Sequence, residues 1–122
     1  MGQISLVDIC ICLEYTYLVK ILPEPISFDW DKGNINKNLK KHNVTNQEAE
    51  ETFSNEPFIV SEDIKHSQKE KRFQALGKTN KAKLLFISFT VRNDKVRIIS
   101  ARNMSKKERR EYEKALKAYT DF

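Results

Sequence analysis

The chain has 122 residues, of which 39% are hydrophobic and 32% charged, and its formal net charge is +5. This length suits a single domain, and a chain with 10% aromatic residues is too hydrophobic to be intrinsically disordered. Two cysteines exclude a disulfide framework and a four-cysteine zinc site, and three glycines and three prolines exclude a collagen-like or low-complexity chain.

The charge is unevenly distributed along the chain. Residues 1–31 contain one lysine and five acidic residues, a net charge of −4, whereas residues 32–122 contain 21 lysines and arginines and 12 acidic residues, a net charge of +9. A basic segment of this size favours a polyanionic partner such as nucleic acid, an acidic protein or an anionic membrane surface. The alternative is a well-solvated surface without a dedicated partner.

The apolar segment at residues 4–22 is predicted neither to export nor to anchor the chain. A signal peptide starts with positive charge, and no lysine or arginine precedes this segment. Asp8, Glu14 and Lys20 interrupt it, and each charge would be costly inside a bilayer. We therefore expect a cytoplasmic protein with no membrane partner.

Within this segment, apolar residues occupy every odd position of residues 9–21, which is the period of a strand. We predict that residues 1–25 are an apolar N-terminal extension, an extra strand or an adhesive segment, outside a domain at residues 26–122. Cys10 and Cys12 are expected to be reduced thiols, because no further cysteine exists to complete a metal site.

The first half of the domain is predicted to contain a strand, two short helices and a second strand. These are a strand at 26–30, a helix from an Asp31 cap to His42 that leaves through Asn43, a helix from a Thr45–Glu48 capping box to Ser54, and a strand at 58–60.

The second half is predicted to contain a polar loop, three strands and a final helix. These are a loop at 62–69, strands at 70–78, 82–92 and 95–102 with an Asn93-Asp94 hairpin turn, and a helix from a Ser105–Glu108 capping box that buries Tyr112, Ala115, Leu116 and Tyr119. The order β-α-α-β-β-β-β-α predicts an α+β fold with an antiparallel sheet. Helices would cover one face and leave the other free.

Side chains alternate across a strand, so the free face would collect polar and cationic residues. The apolar set of the middle strand, Leu85 to Val91, would face the core. The opposite face would carry Glu70, Arg72, Gln74, Ser88, Thr90, Arg92 and Arg97. A solvated sheet face is the alternative, but arginine is the residue that binds phosphate through two parallel hydrogen bonds.

Established catalytic and metal-binding motifs do not match the sequence. No glycine-rich loop precedes a lysine as in a P-loop, and two histidines are too few for a histidine-rich metal site, so we expect neither cofactor nor metal. His42, near a helix C-terminus, has a structural explanation because a cation there favours the helix dipole. His66, in the polar loop before a cationic strand, is the better candidate for an acid or base.

Three stretches, read together, resemble the BrnT family, the ribonuclease toxins of type II toxin–antitoxin modules. They are FDWDKGNINKNLKKHNVTNQEAEETF (28–53), HSQKEKRFQALGK (66–78) and VRIISARNMSKKERREYEKA (96–115). The resemblance covers about residues 26–118 and implies a compact RelE-like fold, with two short N-terminal helices and a C-terminal helix on the sheet. It also implies RNA cleavage that blocks translation, neutralisation by a BrnA-like antitoxin, and contact with operator DNA only through the antitoxin complex.

By position, the motifs of the family fall on several polar residues of this chain. They are Lys41 and His42, then His66, Glu70 and Arg72, then Arg97, Ser100 and Arg102. Gly33 and Asn34 replace a lysine-containing helical turn, and Asn43 replaces the usual glycine; both look like local changes at a helix.

Metal-independent RNA cleavage needs a base for the ribose 2′-OH, cations for the transition-state charge and an acid for the departing 5′ oxygen. We predict a catalytic set of His66, Glu70, Arg72, Arg97 and Arg102. Arg72 and Arg97 would stabilise the phosphate with Arg102 in support, and either Glu70 or His66 would be the base.

A second set of residues is predicted to attract the nucleic-acid backbone. These residues are Lys41, His42, Lys71, Arg92, Lys106, Lys107, Arg109 and Arg110. The alternative from another functional class is a non-catalytic module, whose basic face binds nucleic acid or an acidic antitoxin without chemistry.

Overall fold

A computed structural model describes residues 22, 23 and 25–120, with only the backbone described at 119 and 120. The strand predicted within residues 9–21 lies outside the described residues. The elements are helices α1 (Lys37–His42) and α2 (Asn46–Thr52), strand β1 (Ile59–Glu62), a 3-10 turn (Ile64–His66), strands β2 (Phe73–Lys78), β3 (Leu84–Arg92) and β4 (Lys95–Asn103), and helix α3 (Lys106–Thr120). No helix in this part of the chain is long and apolar enough to cross a membrane.

The four strands form one antiparallel sheet in the order β1-β2-β3-β4, which confirms the predicted α+β fold. Asn93 and Asp94 have φ angles of 51° and 61°, as a two-residue type I′ hairpin requires, so the predicted turn is confirmed. An irregularity between Ser88 and Phe89 shifts the register of β3 against β4.

The outer edge of β4 is covered by the chain that precedes α1. Phe28 and Val96 form one parallel bridge, with hydrogen bonds of 2.8 Å from Val96 N–H to the Ser27 carbonyl and from Asp29 N–H to the Val96 carbonyl. The strand predicted at 26–30 is therefore reduced to a single bridge.

Two buried asparagines continue this cover along β4. Asn34 Nδ2 donates to the Ile98 carbonyl at 3.1 Å, and Asn38 Oδ1 accepts from Ala101 N–H at 3.0 Å. An uncovered edge strand exposes unpaired backbone groups, and these side-chain amides satisfy two of them without another strand.

Helix α1 begins at Lys37, so the predicted Asp31 cap is wrong. Residues 31–36 form turns, because the Asp31 carboxylate accepts from Gly33 N–H at 2.7 Å instead of capping a helix. The predicted exit is confirmed, since Asn43 is in the left-handed region at φ 56°.

Both predicted capping boxes are confirmed. Thr45 Oγ1 accepts from Glu48 N–H at 3.0 Å, and Thr45 N–H donates to Glu48 Oε1 at 2.9 Å. Ser105 and Glu108 make the same two bonds at 3.2 and 2.8 Å. Each box satisfies backbone donors that otherwise lack partners, which fixes the start of its helix.

The hydrophobic core lies between α2 and one face of the sheet. Its buried members are Val44, Ala49, Phe53, Phe58, Val60, Phe73, Ala75, Leu85, Ile87, Phe89, Val96, Ile98 and Ala101. A Cβ at Gly77 would lie 3.0 Å from Thr52 Cβ and 3.1 Å from the Phe58 ring. Glycine therefore allows the end of α2 to approach β2 closely.

Helix α3 starts over the opposite face, so the expectation that all helices share one face is wrong. Phe86 points away from the core residues Leu85 and Ile87. The Arg102 guanidinium lies over the Phe86 ring at 4.1 Å and bonds to Glu108 of α3. The packing of α3 thus leaves only part of this face to polar residues.

The buried side of α3 follows the predicted stripe. Tyr112 is fully buried, its hydroxyl donates to the Pro57 carbonyl at 2.7 Å, and burial raises its pKa to about 12. Ala115 is buried and Leu116 is half-buried, while the Tyr119 side chain lies outside the described residues.

Candidate active site at one end of the sheet

Six charged side chains gather where β2 begins, β3 ends and β4 begins. We call this the arginine–carboxylate cluster; it consists of Asp29, Asp31, Glu70, Arg72, Arg92 and Arg97. The antiparallel register creates it, because Thr90 near the end of β3 is opposite Arg97 near the start of β4. Three arginines and three carboxylates give the cluster no net charge.

Arg97 is held by two aspartates from the segment that covers β4. Its guanidinium donates to both Asp31 oxygens at 2.9 and 3.0 Å and lies 3.5 Å from Asp29 Oδ2. The bond from Arg97, then that from Gly33 N–H, lowers the Asp31 pKa. A Cβ at Gly33 would lie 3.1 Å from the Arg97 guanidinium, so the glycine allows this close approach.

Glu70 and Arg92 form a second pair, through two parallel bonds of 2.9 and 2.7 Å. The Arg92 hydrogen bond is the largest cause of a lowered Glu70 pKa, and the charges of Arg92, Arg72 and Arg97 lower it further. Glu70 is therefore ionised and a weak proton acceptor, which disfavours it as the base.

Arg72 is the cation of the cluster that stays available. No described carboxylate lies within ion-pair distance of its guanidinium, although its charge acts on Glu70. Its backbone is fixed, since its N–H donates to Ser67 Oγ at 3.0 Å and its carbonyl accepts from Asp63 N–H at 2.7 Å. The side chain is thus presented from a rigid position at the entrance to β2.

His66 and Asp63 form a pair beside this position. His66 Nδ1 lies 2.8 Å from Asp63 Oδ2, and the histidine side chain is 57% exposed. Burial raises the Asp63 pKa, but hydrogen bonds from His66 and Gln74 outweigh it, and the net pKa is lowered. Gln74 follows Arg72 by two positions and shares its strand face, so the pair lies on the face that carries the cluster.

Arg102 lies apart from the other predicted catalytic residues. It pairs with Glu108 at 2.8 and 2.9 Å, and this hydrogen bond is the main reason that its pKa is raised. Its strand partner is Phe86, four positions along β3 from the partner of Arg97, which corresponds to about 13 Å. The structure gives Arg102 a role in holding α3 to the sheet.

Thr90 was predicted to lie on an open polar face, and the structure shows that it is buried instead. It is 1% exposed, and its hydroxyl donates to the Lys71 carbonyl at 2.7 Å. The chain entering β2 covers it, so Thr90 anchors that chain and does not face a ligand.

The predicted nucleic-acid-binding residues divide between the two ends of the sheet. Lys71 and Arg92 lie beside or within the cluster, while Lys41 and His42 end α1 at the other end. The remaining four are exposed at the start of α3: Lys106, Lys107, Arg109 and Arg110.

Sequence reasoning missed the three aspartates that organise the site. Asp29 and Asp31 flank Trp30. Residues two positions apart in an extended segment point to the same side, so this spacing could have indicated that the two carboxylates lie together. No sequence pattern indicated a role for Asp63, because its pairing with His66 depends on the turn between them. Among residues 22, 23 and 25–120, no group of three or more His, Cys, Asp and Glu side chains is arranged to hold a metal ion.

Comparison with known protein families matches residues 30–108, well over half of the chain, to the family described as ribonuclease toxin, BrnT, of type II toxin-antitoxin system. The chain belongs to the BrnT family. The match contains every predicted catalytic residue and is narrower at both ends than the predicted range of 26–118. No curated protein matches the chain significantly.

Membership of the BrnT family confirms the predicted class of the protein. The family consists of ribonuclease toxins from type II toxin–antitoxin systems, which implies an RNA target and an antitoxin partner. Of the cluster, Asp29 alone lies just before the matched range.

Proposed function

We propose that this BrnT family protein is an endoribonuclease that cleaves RNA without a metal ion at the arginine–carboxylate cluster. It would act in the cytoplasm and inhibit translation. A BrnA-like antitoxin would neutralise it, and operator DNA would be contacted only through the antitoxin complex.

The observation that carries this proposal is the state of Arg72. Its backbone is held by two hydrogen bonds, its guanidinium has no ion-pair partner among the described residues, and two further arginines lie beside it on one sheet face. Preorganised cations aimed at developing charge are usually the largest contribution to catalysis. The charges of Arg72, Arg92 and Arg97 all act on Glu70, so a phosphate bound by Arg72 would also meet the other two arginines once these exchange their carboxylates for phosphate oxygens.

His66 is better suited than Glu70 to be the base. Glu70 is committed to Arg92, whereas a histidine both accepts and donates protons near neutral pH. With Nδ1 held by Asp63, the exposed ring directs Nε2 away from that bond. This is the geometry of a base oriented by a carboxylate.

The proposed reaction is an internal transfer of the phosphodiester. His66 accepts the proton of the ribose 2′-OH, and the 2′ oxygen forms a bond to phosphorus. The bond from phosphorus to the 5′ oxygen breaks, and this oxygen takes a proton from water. The hydroxide that remains accepts the proton held by His66, which restores both the water and the base. The products are a 2′,3′-cyclic phosphate and a free 5′-OH, with the arginines stabilising the intermediate charge.

The test is cleavage of end-labelled single-stranded RNA in EDTA. We expect cyclic-phosphate products from the wild type and a loss of about 10²-fold or more in Arg72→Ala, the effect of removing one preorganised donor. Lys114→Ala is the charge-matched control, since Lys114 is exposed on α3. Thermal unfolding would show that both variants remain folded.

Full activity of Arg72→Ala contradicts the assignment of the site. If the wild type shifts RNA on a gel and leaves its length unchanged, the protein is a non-catalytic binding module.

A further inference from the structure

The end of the sheet opposite the cluster brings three basic segments together. Lys83 Nζ donates to the Asn43 carbonyl at 3.1 Å, which joins the β2–β3 turn to the end of α1. Met104 N–H donates to the Leu84 carbonyl at 3.2 Å, which places the start of α3 beside the same turn. We call the exposed lysines of these segments the lysine end; they are Lys40, Lys41, Lys81, Lys106 and Lys107.

The positive charge of the lysine end is not neutralised internally. None of its five lysines has an ion-pair partner among the described residues. Three carboxylates of the neighbouring elements have other partners. Glu48 pairs with Lys83 at 3.4 Å, and Glu51 accepts from Asn80 N–H at 3.0 Å. Glu108 binds Arg102.

The placement of two of these lysines works against helix stability. Cations near a helix N-terminus face the positive end of the helix dipole, and Lys106 and Lys107 open α3. Lys40 and Lys41, in the last turn of α1, are at the favourable end. Ser105 and Glu108 form the capping box of α3 without Lys106 or Lys107, so the start of the helix does not depend on their charge.

The chemistry of this surface fits a phosphate backbone better than a protein partner. Protein interfaces have an apolar centre. The exposed large hydrophobic residues of the described chain are Ile26, Ile35, Leu39 and Ile64, and of these only Leu39, which precedes Lys40 in α1, belongs to the three segments. One exposed leucine does not form an apolar centre. Flexible lysines act as point charges on phosphates without reading sequence.

We infer that the lysine end is a second RNA-binding surface, which holds the backbone of the strand whose scissile phosphate lies at the cluster. Strand β3 runs from Leu84 at this end to Arg92 at the cluster, a span of about 26 Å. An RNA must be long enough to bridge that distance to use both surfaces. The choice of RNA as ligand rests on the proposed function.

Binding of labelled 2′-O-methyl RNA tests this surface independently of cleavage, because such RNA lacks the attacking hydroxyl. Anisotropy titrations would compare strands of about 20 and about 4 nucleotides, of which only the longer spans both ends at about 3.4 Å or more per nucleotide. For the double variant Lys106→Ala/Lys107→Ala we expect affinity for the long strand to fall on the order of tenfold. The slope of log affinity against log salt concentration should become shallower by about 1.4. The short strand should bind the variant and the wild type with equal affinity.

The control is the double variant Lys114→Ala/Lys117→Ala, which removes the same charge further along α3, and it should keep most of its affinity. Unchanged binding of the long strand by Lys106→Ala/Lys107→Ala, or an equal loss in the control, overturns the inference. Loss of poly-glutamate binding with RNA binding retained would assign the surface to an acidic protein and also overturn it. Absence of cleavage by the wild type would reject the proposed function. The second RNA-binding surface would still be judged by the binding of non-cleavable RNA alone.

Discussion

Asp31 occupies the positions on Arg97 that a phosphate would need. Its two oxygens accept from both terminal nitrogens of the guanidinium, which is the arrangement in which arginine binds phosphate. Arg97 is 15% exposed, whereas Asp31 is 56% exposed, so the carboxylate is the partner that can leave. Asp31 therefore both orients Arg97 and competes with the substrate for it.

Replacing Asp31 with asparagine should release Arg97 to phosphate. We expect Asp31→Asn to bind 2′-O-methyl RNA about threefold to fivefold more tightly, since the variant removes an exposed and therefore weakly held competitor for Arg97. Asp94→Asn removes the same charge at the same end without touching an arginine, and asparagine tolerates the left-handed conformation there. Anisotropy measures the RNA affinity of both variants. An equal gain in affinity would mean that only net charge matters, and would contradict competition between Asp31 and phosphate for Arg97.

The residues of the candidate site could be predicted only in part. Strand alternation placed Arg72, Arg92 and Arg97 on one face, because alternation is a local property of a strand. Their partners could not be predicted, since Asp31 and Arg97 are 66 positions apart and meet only through the cover on β4. Pairing decides which arginine is available, so the sequence could not distinguish Arg72 from the others.

At the scale of elements, the edge of β4 depends on two asparagine side chains in place of a fifth strand. Asn38 is 1% exposed and binds Ala101 N–H through Oδ1, while its Nδ2 has no hydrogen-bond partner among the described atoms. The backbone donor of Ala101 is the group that must be satisfied, because a buried unpaired N–H is costly.

Asn38→Ala should destabilise the protein by about 1–3 kcal/mol, the cost of leaving the Ala101 N–H buried without a partner. Urea unfolding measures this difference. Asn36→Ala is the control, since Asn36 is exposed, directly precedes α1 and makes no capping bond through its side chain. If Asn38→Ala unfolds at the same urea concentration as the control, water or a neighbouring group satisfies the edge instead.

Elements were predictable where their signals are local. The two capping boxes, the Asn93-Asp94 turn and the left-handed Asn43 each depend on residues within four positions, and all are confirmed. The side of the sheet on which α3 packs depends on Phe86 and Arg102 meeting Glu108, which is a tertiary contact. The Asp31 cap was wrong because that carboxylate accepts from the nearby Gly33 N–H and from the distant Arg97 guanidinium, and only the first of these contacts is local.

At the scale of the whole molecule, charge is separated into two ends with different properties. At the cluster, cations and carboxylates balance one another, and an incoming phosphate exchanges with existing partners. At the lysine end the cations have no ion-pair partner in the part of the chain that the structure describes, so attraction there is long-ranged and weakens with salt. Such a division lets one end capture RNA while the other determines which phosphate reacts.

The same ion pairs make the stability of the fold depend on pH. The pKa values of Asp31, Glu48, Asp63, Glu70 and Glu108 are all lowered from ordinary values of 3.8 for aspartate and 4.5 for glutamate. The unfolded chain therefore binds more protons than the native state as acid is added. These carboxylates make their full contribution to the free energy of unfolding when the pH is above their ordinary pKa values. The contribution is lost as the pH falls through their lower pKa values in the native state.

Glu108 gives the clearest test of this linkage, because glutamine in its place keeps the capping box with Ser105 and removes only the charge that binds Arg102. We expect Glu108→Gln to unfold about 1 kcal/mol more easily than the wild type at about pH 7, and to lose less stability on acidification to about pH 3. Glu113→Gln, an exposed change on the same helix, should follow the wild type in urea unfolding at both pH values. Parallel pH curves for all three proteins would mean that the Arg102–Glu108 pair adds nothing to the attachment of α3, and that α3 is held by Tyr112 and its apolar neighbours alone.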